Sequence, residues 1–252
     1  MHSCTPALAS SLVFLGQAKY SPSMASANGT LFIVGTPIGN MEDITYRALR
    51  VLGEADLIAA EDTRHTGLLL ARHGLKKPLI SYHEFNEAKR TPELLRELQQ
   101  GRRVALVSDA GMPTVSDPGQ RLIRAAVDGR IPVEVVPGVS ALTAALAGSG
   151  YGVKQGVLFH GFLPHKSGQR RKALAQLATL PYTLVFFESP HRLLKSLQDM
   201  HELLGNRNVV VARELTKKFE EFLRGDIEFV LKKLENHTIR GEITVVVEGC
   251  QK

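Results

Sequence analysis

Carboxylates, glycines and hydroxyls recur in this chain directly after short apolar runs, the places where a parallel sheet delivers side chains to a ligand. The first such stretch is Gly35-Thr36-Pro37-Ile38-Gly39-Asn40 and the second is Glu61-Asp62-Thr63-Arg64. The third is Ser108-Asp109-Ala110-Gly111-Met112-Pro113, continued by Ser116-Asp117-Pro118-Gly119, and the fourth is Pro137-Gly138-Val139-Ser140. Carboxylates such as Asp109 accept from hydroxyls or an ammonium, and glycines let backbone amides approach closely. The set suits a ligand with hydroxyls, an amine and an adenine-like ring. Asp-Pro-Gly and Pro-Gly are also ordinary turn and cap sequences, so it is their joint placement that carries the argument.

Familiar motifs are absent. Gly35-Thr-Pro-Ile-Gly39 lacks the lysine and spacing of a phosphate-binding loop, and Gly148-Ser-Gly150 is not a dinucleotide fingerprint. There is no nucleophile elbow. His83-Glu84-Phe85-Asn86-Glu87 is not a zincin motif, and the nine histidines show no paired ligand spacing, so no metal is expected.

The elements that must position these loops alternate. Apolar runs at 31–34, 56–60, 78–81, 104–107 and 133–136 read as buried strands. Between them lie helices: one capped by Asp43 and stopping at Gly53, then about 63–73, 86–100 and 119–128. This repetition implies α/β architecture with a mainly parallel sheet covered on both faces. In an open sheet of this kind ligands sit outside the carboxyl ends of the strands, so the four loops should converge on one cleft. A small-residue helix, 140–147, runs into the flexible Gly148-Ser-Gly-Tyr-Gly152 near the domain boundary. A second unit follows, with strands at 156–160, 183–187, 208–212 and 243–247, helices at about 168–179 and 190–204, and a further strand at 220–224. The division is a disordered tail at 1–28, an N-terminal α/β domain at 29–138 and a C-terminal α/β domain at 139–252. The tail has no acid, no arginine and weak amphipathicity, and Met24 immediately precedes the first convincing strand, which speaks against a targeting peptide.

The 252 residues include 44% hydrophobic and 22% charged positions, which excludes disorder and leaves ample core for an enzyme. No run of apolar residues is long enough to span a membrane. Two cysteines, Cys4 and Cys250, are too few for a disulfide framework, and they fit a reducing, cytoplasmic setting. The net charge of +6 is unevenly placed: residues 1–150 carry 15 basic against 14 acidic residues, and 151–252 carry 16 against 11. A basic second half is compatible with a nucleic-acid partner.

Six ordered stretches carry a resemblance. They are 31–40 (LFIVGTPIGN), 58–66 (IAAEDTRHT), 105–113 (ALVSDAGMP), 161–166 (GFLPHK), 186–192 (FFESPHR) and 212–217 (ARELTK). Together they resemble the tetrapyrrole-methylase fold family, and within it the bacterial enzymes that methylate a cytidine 2′-oxygen of 16S ribosomal RNA. The resemblance implies two α/β domains with S-adenosylmethionine in the cleft between them, 16S RNA or the 30S subunit as partner, and a homodimer. It also implies a cofactor cleft of Pro37, Ser108, Asp109, Ala110, Gly111 and Asp117. Pro137, Gly138, Ser140 and Ala141 would continue it, and Phe187, Leu215, Glu242, Ile243 and Thr244 would close it from the second domain. Bacterial members commonly continue into a small helical C-terminal extension, whereas this chain ends at Lys252.

The expected reaction is in-line attack of a ribose oxygen on a sulfonium methyl group, which needs positioning and a destination for the hydroxyl proton. Glu61 or Asp62, just past a strand end, are the candidate acceptors, although Asp62 is equally placed to cap the following helix. Lys217 would lower the hydroxyl pKa or hold a phosphate. Arg64 with His65 would clamp phosphate, and Lys166, Arg170, Arg171, Lys172, Arg192 and Lys195 would form an RNA-facing surface. Two rivals stand beside this reading: methylation of a tetrapyrrole or other small molecule, and a non-catalytic ribosome-binding factor. A steep salt dependence of affinity separates RNA from the first, and donor binding separates an enzyme from the second.

Overall fold

The computed structural model describes residues 29–153 and 155–251. The expected tail at 1–28 and Cys4 lie outside them. Five short strands, β1 (Leu31–Val34), β2 (Leu57–Ala60), β3 (Leu79–Ser81), β4 (Val104–Val107) and β5 (Val133–Val136), form a sheet in the order β3-β2-β4-β1-β5. Every pairing in it is parallel. Helices α1 (Tyr46–Glu54) and α2 (Thr63–Arg72) cover one face, where Val51, Leu52 and Leu70 meet Phe32, Val34 and Ile58. Helices α3 (Glu87–Gln99) and α4 (Gln120–Asp128) cover the other, where Leu94, Leu98 and Leu122 meet Ile33 and Leu106. Burial on both faces is why β1 and β4 are unbroken runs of apolar residues rather than alternating ones.

Two local expectations are corrected at α1. Asp43 does not cap it: Met41–Asp43 form a single 3-10 turn, and the cap is Thr45, whose side chain accepts from the Ala48 amide. The helix also runs through Gly53 to Glu54. Thr45→Ala is expected to cost about 1 kcal/mol of stability, measured by denaturant unfolding, and to leave the cavity described below intact.

The second sheet contains β6 (Val157–Phe162), β7 (Thr183–Glu188), β8 (Asn208–Arg213), β9 (Glu221–Asp226) and β10 (Ile243–Val247) in the order β6-β7-β10-β8-β9. Only β6 and β7 run parallel; the other pairings are antiparallel. Helices α6 (Ser167–Leu177), α7 (Leu193–Leu204) and α8 (Ile227–Leu234) pack on one face around Leu174, Leu197, Met200 and Val230. The region expected to be a strand at 220–224 is β9, and it runs straight into α8, an element the sequence reading omitted. Asp226 ends the strand and caps the helix by accepting from the Phe229 amide. The opposite face carries α5 (Ala141–Ser149), with Val210, Ala212 and Val246 against Ala145 and Ile38. We propose the domain boundary at 138/139 because α5 packs on β8, β9 and β10.

Candidate active site

Backbone pairing draws the N-terminal loops together. Thr36 and Gly111 exchange two backbone hydrogen bonds, 2.9 and 3.1 Å, joining the loop after β1 to the loop after β4. The loop after β2 is stitched on by Asp109, whose carboxylate accepts from the Asp62 amide at 2.9 Å, while the Asp109 amide donates to Glu61 at 3.3 Å. Gly35 and Gly138 bring in the loop after β5. A Cβ on Gly35 would lie 2.7 Å from the Gly138 nitrogen, and one on Gly138 would lie 2.9 Å from the Gly35 Cα. Only residues without side chains allow backbones to pass this closely.

Against this edge lie the ends of β7 and β8 and the start of β10, and between them is a cavity of about 340 Å³. Ten of the expected donor-site residues line it: Ala110, Gly111, Asp117, Ser140, Ala141, Phe187, Leu215, Glu242, Ile243 and Thr244. The remaining five stand behind or beside it. Pro37 and Ser108 are buried, Asp109 and Gly138 hold loops together as described, and Pro137 is exposed. The wall also includes Ile38, Met112, Val115, Ser116, Phe162, Glu188, Ser189, Pro190, Ala212 and Gly241. Of these, Glu188-Ser189-Pro190 falls in a stretch the sequence had singled out, and its position at the end of β7 was the available signal. Glu188 is buried and accepts from the Ser196 hydroxyl at 2.5 Å and the Ser189 amide at 2.8 Å.

The lining is mostly apolar, with a smaller set of polar groups. Ile38, Met112, Phe187, Ala212 and Leu215 form an apolar floor for a flat ring, and Asp117, Ser140, Ser189 and Glu242 supply polar groups at the rim. Volume and composition match a pocket for one small ligand. A nucleoside carrying an amino-acid chain fits this donor set: its ring belongs on the floor, and its hydroxyls and ammonium belong at the carboxylates and serines.

The carboxylates behave differently from one another. Asp117 is pushed up to about 7 by burial, then by the Glu61 charge, with the Ser108 hydroxyl opposing and Asp109 adding a smaller push. Burial also raises Glu61, which lies outside the cavity lining. Asp62 is held far below the usual carboxylate range by the Arg64 guanidinium, 2.6 Å away, and it caps α2 by accepting from the Arg64 amide. A carboxylate so stabilised in its charged form is a poor proton acceptor. Lys217 is tied to Glu214 and Glu242, both at 2.9 Å. Burial disfavours its charge, but these two carboxylates outweigh that and raise its pKa.

The expected RNA-facing set divides in the same way. Lys166, Lys172, Lys195, Arg64 and His65 are exposed. Arg170 is not on the surface expected of it: it is buried, with its Nε donating to Asp199 at 2.6 Å. Arg171 is shared between Asp199 and Glu202. Arg192 is turned inward, donating to the carbonyls of Leu163 and Pro164, so it fixes the loop before α6. Charge runs of this kind include members that the fold itself consumes.

Residues 30–230 match the family described as Tetrapyrrole (Corrin/Porphyrin) Methylases. The chain belongs to this family. It is 50% identical over 88% of its length to Ribosomal RNA small subunit methyltransferase I of Thermotoga maritima, covering 99% of that protein. It is 49% identical, again over 88% of its length, to the protein of the same name from Halalkalibacterium halodurans, covering 76% of that one. Uroporphyrin-III C-methyl transferase from Thermus thermophilus, complexed with S-adenyl homocysteine, shares the fold with a TM-score of 0.61 at 21% identity, over 86% of this chain and 97% of that one. The two-sheet architecture described above is therefore the fold of the tetrapyrrole methylases. Among the described residues, no helix is long and apolar enough to cross a membrane, and no cluster of three or more His, Cys, Asp or Glu is arranged to hold a metal.

Proposed function

We propose that this protein is an S-adenosylmethionine-dependent methyltransferase acting on the 2′-oxygen of a cytidine ribose in small-subunit (16S) ribosomal RNA. The observation that carries the reading is the cavity between the two sheets, mostly apolar with carboxylates and hydroxyls among its lining, in a chain half identical to proteins named for small-subunit RNA methylation. The donor would be held on Ile38, Phe187, Ala212 and Leu215, with Ser140, Ser189 and Glu242 receiving its polar groups. When bound, it supplies a sulfonium-activated methyl group.

This chain's own work is to hold the ribose in line and to receive its proton. Asp117 is the acceptor we assign, in place of Glu61 or Asp62. It lines the cavity, and near neutrality it is charged often enough to take a proton and basic enough to keep it. Glu61 raises its basicity from behind. Lys217, held by Glu214 and Glu242, braces the rim and is not free to act as a base. The exposed Arg64, His65, Lys166, Lys172 and Lys195 offer phosphate contacts. We also infer a cytoplasmic homodimer. The self-association follows from the resemblance to the family, and Tyr46, Leu68 and Phe85, at 94%, 70% and 92% exposed, are large apolar side chains open to solvent.

Purified small subunits lacking the modification, incubated with labelled donor and digested, provide the test. Label is expected on a single ribose, and calorimetric titration is expected to give one donor site per chain. Label in bases or in protein, or no donor binding, would overturn the reading.

A further inference from the structure

A second cavity of about 670 Å³, twice the size of the first, opens at the same end of the second sheet but on its α7–α8 side. Its walls include Val211, Leu223, Leu234 and Ile239 together with Phe219, a ring 66% exposed that carries the Lys218 ammonium 5.6 Å from its centroid. Lys233, His237 and Arg240 add cationic character. Arg213 is engaged by Glu221 at 3.0 Å, whereas no carboxylate among the described residues pairs with Lys233 or Arg240.

The two cavities share a wall. Gly241 lines both, Glu214 lines the second, and Glu242 lines the first. The wall is braced: the Glu214 amide donates to the Glu242 carbonyl at 2.9 Å, and the Glu242 amide donates to the Glu214 carboxylate at 3.0 Å. Lys217 spans both carboxylates. Glu214 and Thr216 sit at φ of 52° and 65°, a conformation non-glycine residues hold only when their surroundings enforce it. Gly241, at φ 89°, cannot gain a Cβ without displacing Glu214, since that atom would lie 2.4 Å from the Glu214 Cδ.

We propose that the second cavity receives the base and flanking phosphate of the acceptor nucleotide, unstacked from single-stranded RNA, while its ribose faces the donor cavity across Gly241. The inference rests on the methyltransferase reading above and extends it to the site that selects the substrate. An aromatic face beside unpaired cations, over an apolar floor, is the chemistry of a flat ring carrying a negative tail. Gly241 lines both cavities, so a base held in the second lies beside the first.

Phe219→Ala and Thr238→Trp test it, the first removing the stacking face and the second filling the cavity from an exposed position. With unmodified small subunits and labelled donor, Phe219→Ala is expected to raise the KM for RNA about tenfold, the scale of one lost base–aromatic stack. Thr238→Trp is expected to abolish transfer. Both should keep the calorimetric donor affinity within twofold of wild type. An active wild type whose Phe219→Ala variant holds its RNA KM within twofold overturns the cavity assignment alone. So does a loss of donor affinity in either variant, because the cavity would then be serving the donor. A wild type that binds donor but transfers nothing to RNA overturns the underlying reading, and the cavity assignment with it.

Discussion

Asp117→Asn is expected to slow methyl transfer at saturating donor and RNA by about 10²–10⁴-fold, the range for loss of a positioned general base. The amide preserves shape and some hydrogen bonding, so donor affinity should change far less than the rate. The wild-type rate should rise with pH through about 7, as the carboxyl loses its proton, and the residual rate of the variant should lack that rise. The same substitution carries a stability signature of fixed sign. Burial raises Asp117 from its ordinary value of 3.8, so folding takes up a proton between that pH and about 7. The contribution of this group is therefore most favourable in acid, and it falls as pH rises through that window. Asp117→Asn should melt higher than wild type at pH 8 and level with it near pH 4. A variant with full activity would remove Asp117 from the mechanism. A variant with no gain in Tm at pH 8 would show that the carboxyl is not held against its charge.

The largest expected loss of stability lies at Asp199, which lines neither cavity. Its carboxylate is buried between Arg170 at 2.6 Å and Arg171 at 2.8 Å, and the Arg170–Asp199 side chains are 7% and 10% exposed. Asp199→Ala leaves the Arg170 charge buried without a partner, which costs about 3–5 kcal/mol. For a chain of this size that corresponds to a fall in Tm of about 10 °C, measured by thermal unfolding. Replacing both partners by apolar residues, Arg170→Met with Asp199→Leu, should restore most of the loss, because the penalty comes from an isolated charge rather than from a missing attraction. Lys172→Ala should behave in the opposite way. It is exposed, so stability should hold, while affinity for RNA weakens and depends less steeply on salt. If Asp199→Ala left Tm unchanged and weakened RNA binding, Arg170 would belong to the RNA surface after all.

Much of the architecture was legible because burial dictates residue type locally. Strands covered on both faces must be apolar throughout, and Leu31–Val34 and Val104–Val107 are; helix limits followed from Gly74 and Gly101. The missed helix α8 shows where this stops. Gly225 is still part of β9 and Asp226 both closes that strand and caps α8, so no loop separates the two elements and the change of period is not set off by a turn. The half-buried Asp43 likewise suggested a cap that Thr45 provides instead.

Chain order and residue type alone determined the alternating first unit and the loops that follow its strands, because these depend on neighbours close in sequence; the cavity residues were legible only through the family resemblance. Only the tertiary structure could decide which charges remain available. Asp62, Asp117 and Glu61 are the same kind of group, as are Arg170 and Lys172, but a carboxylate beside a guanidinium, a carboxylate in an apolar pocket and a cation sealed against Asp199 differ in solvation and partners. Those depend on contacts between residues tens of positions apart, and such contacts exist only once the two sheets have packed.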